Sequence, residues 1–146
     1  MKVYFSHPSL AYHTPTEEYA IRLIKDELGA KSIINPYDYR GKDKKRLGTF
    51  LESSDAVVGM SVYETYPYIV WNDLEFAQTL QKDIYTLTFP SDHKEKIELI
   101  EGIVDEFAFL DAHETDEFYN KILKRQSKGL LSTLLFGKLA KKDNVF

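Results

Sequence analysis

The chain has no cysteine, so neither disulfides nor thiolate chemistry are open to it. It has no Gly-rich phosphate loop of the Walker or Rossmann type, which argues against ATP hydrolysis and classical dinucleotide binding. Its four histidines are scattered without metal-ligand spacing, so no metal is expected, and nothing calls for another cofactor. It lacks a positive balance: the formal charge of −4 gives no overall electrostatic drive toward a nucleic-acid backbone. No apolar run approaches the roughly 20 residues of a membrane span. The first ten residues lack the apolar core of a signal peptide. These absences set the expectation of a cytoplasmic protein with neither a nucleic-acid nor a membrane partner.

What remains is ordinary globular material. The 146 residues fit one domain, and 43% hydrophobic content suffices for a core. We expect an α/β core over residues 1–112 and a helical extension of the same domain over 113–146. Short apolar runs at 2–6, Ile33-Ile34, 55–62 and Ile84–Thr88 alternate with helical patterns. Thr14-Pro15-Thr16-Glu17 is a helix start with a cap, a first-turn proline and a capping-box acid, and Gly29 is its stop. Leu47, Phe50 and Leu51 suggest a short helix. A further helix follows the loop at 63–68 and runs to about Gln81. Asp92-His93-Lys94-Glu95 reads as another capping box, opening a helix with Ile97 and Ile100 inward and Gly102 at its end. Residues 103–110 are read as a fifth strand, and the chain is helical in pattern from Glu114 with a break at Gly129. This alternation predicts a flavodoxin-like five-stranded parallel sheet, order 2-1-3-4-5, flanked by helices.

In such sheets, ligands bind beyond the carboxyl ends of the strands. Tyr4, Pro8, Asp55, Asp73 and Ala77 stand out as residues at strand ends or on the helix that follows one. On that helix, Ile69, Val70, Leu74, Ala77 and Leu80 form an apolar stripe that contains Asp73, while Glu75 points away. An acid on a core-facing stripe suggests a carboxylate facing a cleft. Alternatively the helix begins at Asn72, with Asn72 as cap and Glu75 as capping-box partner, and the helix dipole favours both acids there. Ser6, His7 and Ser9 lie on the first loop, where Ser6 and Ser9 suit a phosphate or ribose and His7 suits a phosphate, a leaving base or simply a solvated loop position. Asn35 and Asp38 follow strand two and suit ribose hydroxyls. Arg40, Lys42, Lys44, Lys45 and Arg46 form the densest basic run, which fits either a phosphate or a solvated loop.

Tyr4-Phe5-Ser6-His7-Pro8, Asp55-Ala56-Val57-Val58 and Asp73-Leu74-Glu75-Phe76-Ala77 with Lys82 resemble, in order and spacing, the nucleoside 2-deoxyribosyltransferase-like superfamily. The family's opening Tyr and Pro fall on Tyr4 and Pro8. Its nucleophilic Glu falls on Asp73, a side chain shorter by one methylene, and its Gly-Lys before strand four ends on Lys82. The glycines that precede the family's acid are Val70, Trp71 and Asn72 here. The resemblance spans residues 2–88. It implies cleavage or transfer of a nucleoside or nucleotide N-glycosidic bond by a carboxylate beneath the sugar. Asp73 is the first candidate, Glu75 the second, and Tyr4 the residue that orients the carboxylate. Residues Ser6, His7, Pro8, Asn35, Asp38 and Arg40 are the candidate substrate contacts. Trp71 four residues before Glu75 is also similar to Toll/interleukin-receptor-like domains, some of which cleave NAD at its N-glycosidic bond. A binding module that keeps the pocket without the nucleophile is the non-enzymatic alternative. The stripe Leu130, Leu131, Leu134, Leu135, Phe136 and Leu139 predicts a homo-oligomer through a C-terminal helix, which the first resemblance also implies.

Overall fold

A computed structural model describes residues 1–39, 44–88 and 97–124. The strands are β1 (Lys2–Ser6), β2 (Ser32–Ile34), β3 (Ala56–Met60), β4 (Thr65–Tyr66), β5 (Asp83–Thr88), β6 (Glu98–Glu101) and β7 (Ala108–Phe109). The helices are α1 (Pro15–Leu28), α2 (Lys44–Glu52), α3 (Tyr68–Thr79) and α4 (Ala112–Lys124). The fold is mixed α/β, with a mostly parallel five-stranded sheet in the order β2-β1-β3-β5-β6 and helices on its faces. β1 lies inside the sheet, registered Tyr4 to Ile34 on one side and Ser6 to Gly59 on the other. β3 is buried at every position, which its unbroken Ala-Val-Val-Gly-Met run allows because helices cover both faces.

Period-two alternation along β1 separates two cores. Val3 and Phe5 join Ala20 and Ile24 of α1 and Ile122 of α4. Tyr4 joins Leu51 of α2 and Val70, Leu74 and Ala77 of α3 on the opposite face. α1 begins as its sequence predicts: the Thr14 hydroxyl accepts from the Glu17 N–H, Pro15 is the first residue, and Gly29 closes the helix in the left-handed region.

The far edge departs from expectation. The fifth strand is not 103–110 and is not parallel. β6 pairs antiparallel with β5, Leu99 opposite Leu87 and Glu101 opposite Tyr85. The i, i+3 spacing of Ile97 and Ile100 resembles a helix face. Ile97-Glu98-Leu99 also alternates as a strand, and the open backbone of β5 decides between them. Ile100 is exposed rather than inward, and Gly102 ends a strand at φ 90°. Exposed Glu98 and Glu101 mark the edge with charge. Of residues 103–110, only Ala108 and Phe109 form a strand, paired parallel with β4 in a separate ribbon. The sheet therefore differs from the all-parallel 2-1-3-4-5 arrangement. The Asp92–Glu95 capping box, the break at Gly129 and the Leu130–Leu139 stripe lie outside the described residues, and the expected oligomer with them. Among the described residues no helix is long and apolar enough to cross a membrane.

Candidate functional site

Asp73 is an inward residue of a helix already under way. α3 starts at Tyr68, not Asn72, so the capping role for Asn72 does not hold. Its first N–H is capped from a distance: Tyr68 N donates to the Thr115 hydroxyl of α4 at 2.8 Å. Pro67, the residue before the helix, offers no side-chain cap.

α3 lies close over the sheet because β3 carries Gly59 beneath it. A Cβ there would stand 2.8 Å from the Leu74 Cδ1 atom, a distance real side chains avoid. That approach brings Asp73 to the carboxyl end of β1. The Ser6 hydroxyl donates to Asp73 Oδ2 at 2.7 Å across 67 residues of sequence. Burial raises the Asp73 carboxyl from its ordinary 3.8 to about 6, and the Ser6 hydrogen bond holds it from rising further. Its other oxygen has no partner among the described residues.

Tyr4 is buried on the same face. Its phenol is pushed up by burial first, then by the negative charge of Asp73 and by Tyr37. Ser6 and Asp73 thus meet at the carboxyl end of β1, while Tyr4 lies on the same face at the middle of the strand, opposite Val57, so its expected place at a strand end does not hold. Ser6, rather than Tyr4, makes the hydrogen bond that orients the carboxylate.

His7 and Asn35 belong to the other face, by the alternation of β1. His7 is buried, not a solvated loop residue. Its Nδ1 lies 2.8 Å from the Pro8 carbonyl, and its Nε2 lies 3.1 Å from both Asn35 Oδ1 and Glu17 Oε2. Asn35 Nδ2 donates to Glu17 at 2.8 Å, while its Oδ1 accepts from Tyr37 N. The backbone N–H of His13 donates to the second Glu17 oxygen. Burial alone would raise the Glu17 carboxyl, but hydrogen bonds from His7, Asn35 and His13 outweigh it and hold it below its ordinary value. This network ties the β1–α1 loop to the segment after β2.

Asp38 is exposed and accepts from the Tyr12 hydroxyl at 2.8 Å. Pro8 is buried and opens a short 3-10 turn over Ser9–Ala11. Asp55 sits at the opposite end of the sheet from the site. It precedes β3 and accepts from Lys2 N, so its placement at a carboxyl end does not hold. Ala77 is a buried packing residue of α3 itself. Arg40 and Lys42 lie outside the described residues, and Arg46 is exposed with its guanidinium 5.6 Å from the Phe50 ring. Glu75 is exposed and turned away from Asp73, in a groove with Trp71 between α3 and residues 103–110.

Two tyrosines near this end carry no obvious motif. Tyr37 packs 4.9 Å from the His7 ring, and its phenol acts electrostatically on Tyr4 and on Tyr119 of α4. The carboxyl-end rule would have named Tyr37, since it follows β2 by three residues. Tyr119 had only its helical spacing from Thr115 to mark it. No family model matches this chain, and no curated protein matches its sequence.

Proposed function

We propose that the protein cleaves or transfers the N-glycosidic bond of a nucleoside or nucleotide, with Asp73 as the carboxylate beneath the sugar. The observation that carries this reading is the Ser6–Asp73 hydrogen bond. It fixes one carboxylate oxygen and leaves the other open, on a half-buried acid that acts electrostatically on the Tyr4 phenol. Structural ion pairs also perturb carboxylates, but Asp73 has no cationic partner among the described residues.

The chemistry follows from charge. Breaking the bond between C1′ and the base leaves the sugar carbon with oxocarbenium character, which an adjacent carboxylate stabilises or captures as a glycosyl ester. The base departs with the bonding pair and takes up a proton. Water, or a second base, then attacks C1′, frees the carboxylate and gives up a proton in turn. Ionised Asp73 is the nucleophile, Ser6 holds it, and Tyr4 lies within its electrostatic reach.

Two features support the family resemblance. Gln81 stands where the family carries Gly before its Lys, and its φ is 57°, a value that favours glycine. The parallel order β2-β1-β3-β5 is the one expected for the first four strands of a flavodoxin-like sheet, although the fifth, β6, is antiparallel.

The test is released base, followed by mass spectrometry over a panel of nucleosides, nucleotides and NAD. Wild type should release base from at least one substrate. Asp73→Ala should lose that release and Glu75→Ala should keep it. The reverse outcome transfers the role to Glu75 and to the NAD-cleaving resemblance. Binding without any released base makes the protein a nucleotide-binding module.

A further inference from the structure

Glu75 projects from the side of α3 that the glycosidic chemistry does not use. It makes no hydrogen bond or ion pair among the described residues. Trp71 and Gln78 lie one turn to either side of it on the same helical face. Across from them stands Phe109 of β7, 46% exposed, with its ring 22° from parallel to the Trp71 indole at 6.1 Å between centroids. The indole cannot swing freely, because its Nε1–H donates to the Leu110 carbonyl. Tyr66, fully buried, closes the floor, held by Thr86 and by the Val104 N–H. Asp105 lies within electrostatic reach of the Tyr66 phenol. The groove encloses about 40 Å³.

An unpaired carboxylate in a groove lined by two aromatic rings is complementary to a cation. The ring quadrupoles attract it, and partial desolvation strengthens that attraction. A guanidinium suits this groove better than an ammonium. It is planar, stacks on aromatic faces, sheds water more readily and presents two parallel donors to one carboxylate. The groove's volume is far below the roughly 300–1,000 Å³ of pockets that enclose whole small ligands. It is open along one side and matches one side chain entering end-on.

We propose that the groove between α3 and residues 103–110 binds an arginine side chain displayed by a peptide segment of a partner protein, with the guanidinium against Trp71 and Phe109 and paired to Glu75. This site is independent of Asp73, which faces Ser6 on the other side of the helix.

Trp71 is the only tryptophan in the chain, so selective excitation of tryptophan reports on this groove alone. A capped Gly-Ser-Arg-Ser-Gly peptide is titrated into the intact protein, beside matched peptides with lysine or neutral citrulline and beside free arginine amide. The arginine peptide should change the fluorescence saturably, the lysine peptide should bind several-fold more weakly, and the citrulline peptide should give no change. Glu75→Gln should weaken arginine binding roughly tenfold with circular dichroism unchanged, since it removes a charge-assisted pair. Asp73→Asn should bind as wild type does, which keeps this result separate from the glycosidic reading. No saturable change with the arginine peptide overturns the proposal, as does equal binding by citrulline or wild-type affinity in Glu75→Gln. Lysine equal to arginine overturns the guanidinium, and free arginine amide equal to the peptide overturns the peptide partner.

Discussion

Replacing Asp73 by Asn should make the protein more stable at pH 7.5. The isosteric amide keeps an oxygen to accept from Ser6, so the one hydrogen bond the side chain makes in the fold survives. What it removes is the cost of a buried charge. The Asp73 carboxyl is raised from 3.8 to about 6, chiefly by burial. Between those two pH values the folded protein binds a proton that the unfolded chain releases. The contribution of this group to stability is therefore fully present below the lower value and lost as pH rises through the upper one. Above pH 6 the ionised side chain costs the fold about 2–3 kcal/mol relative to a neutral one. For a chain of this size that difference corresponds to roughly 5–10 °C in Tm. Urea unfolding of wild type and Asp73→Asn at pH 7.5 and at pH 4 is the measurement. The variant should be more stable at pH 7.5, and the gap should shrink to about 0.5 kcal/mol at pH 4. A variant no more stable than wild type at pH 7.5, or a gap that ignores pH, would refute the buried-charge account. A stabilised variant that has lost base release would show a charge kept for chemistry at a cost in stability.

Three further outcomes follow from the same geometry. If Asp73 reacts in its ionised form, kcat/KM for base release should fall on the acid side near pH 6, and Ser6→Ala should move that limb to higher pH by removing the bond that favours ionisation; an unmoved limb in the pH–rate profile counts against Ser6. Gly59→Ala should cost about 1–3 kcal/mol in urea unfolding and weaken any base release, because the new methyl meets Leu74 and must lift α3 away from Ser6; a neutral result would mean that α3 adjusts freely. Gln81→Gly should stabilise the protein by about 0.5–1 kcal/mol in the same assay, by relieving a left-handed backbone after α3; a loss of stability would show that the Gln81 side chain matters more than its φ.

How much of this was legible in the sequence depends on the range of the interactions involved. α1 could be read from end to end because everything that defines it is local: Thr14, Pro15 and Glu17 at one end, Gly29 at the other. The start of α3 could not, because its cap is Thr115, 47 residues away on another helix. That distant cap is why a start at Asn72 competed with the true start at Tyr68. β6 failed for a related reason. Ile97 and Ile100 satisfy a helical period within their own segment, and only the backbone of β5 makes the alternating reading win. His7 looked like a solvated loop residue because its partners, Glu17 and Asn35, come from a helix and a strand end that no local pattern connects to it.

The two acids of α3 show what the combination of periods can and cannot reveal. Asp73 and Glu75 are two residues apart, so a helix sends them to different faces. Period two on β1 sends Tyr4 and Ser6 to one face of the sheet and Phe5 and His7 to the other. The helical stripe pointed Asp73 inward, but a rule about side-chain direction alone leaves open which strand residue it meets. It could not say that Ser6 rather than Tyr4 would hold the carboxylate. That choice depends on the height of α3 above the sheet, which Gly59 and Leu74 set between them. The same limit explains the groove around Glu75. Its far wall, Phe109, belongs to a segment whose sequence suggested a fifth strand of the main sheet, a position from which it would not meet Trp71. Once Ala108 and Phe109 pair with Thr65 and Tyr66 instead, an outward-facing acid gains two aromatic neighbours. A charge that direction alone would assign to solvent thereby becomes one side of a binding site.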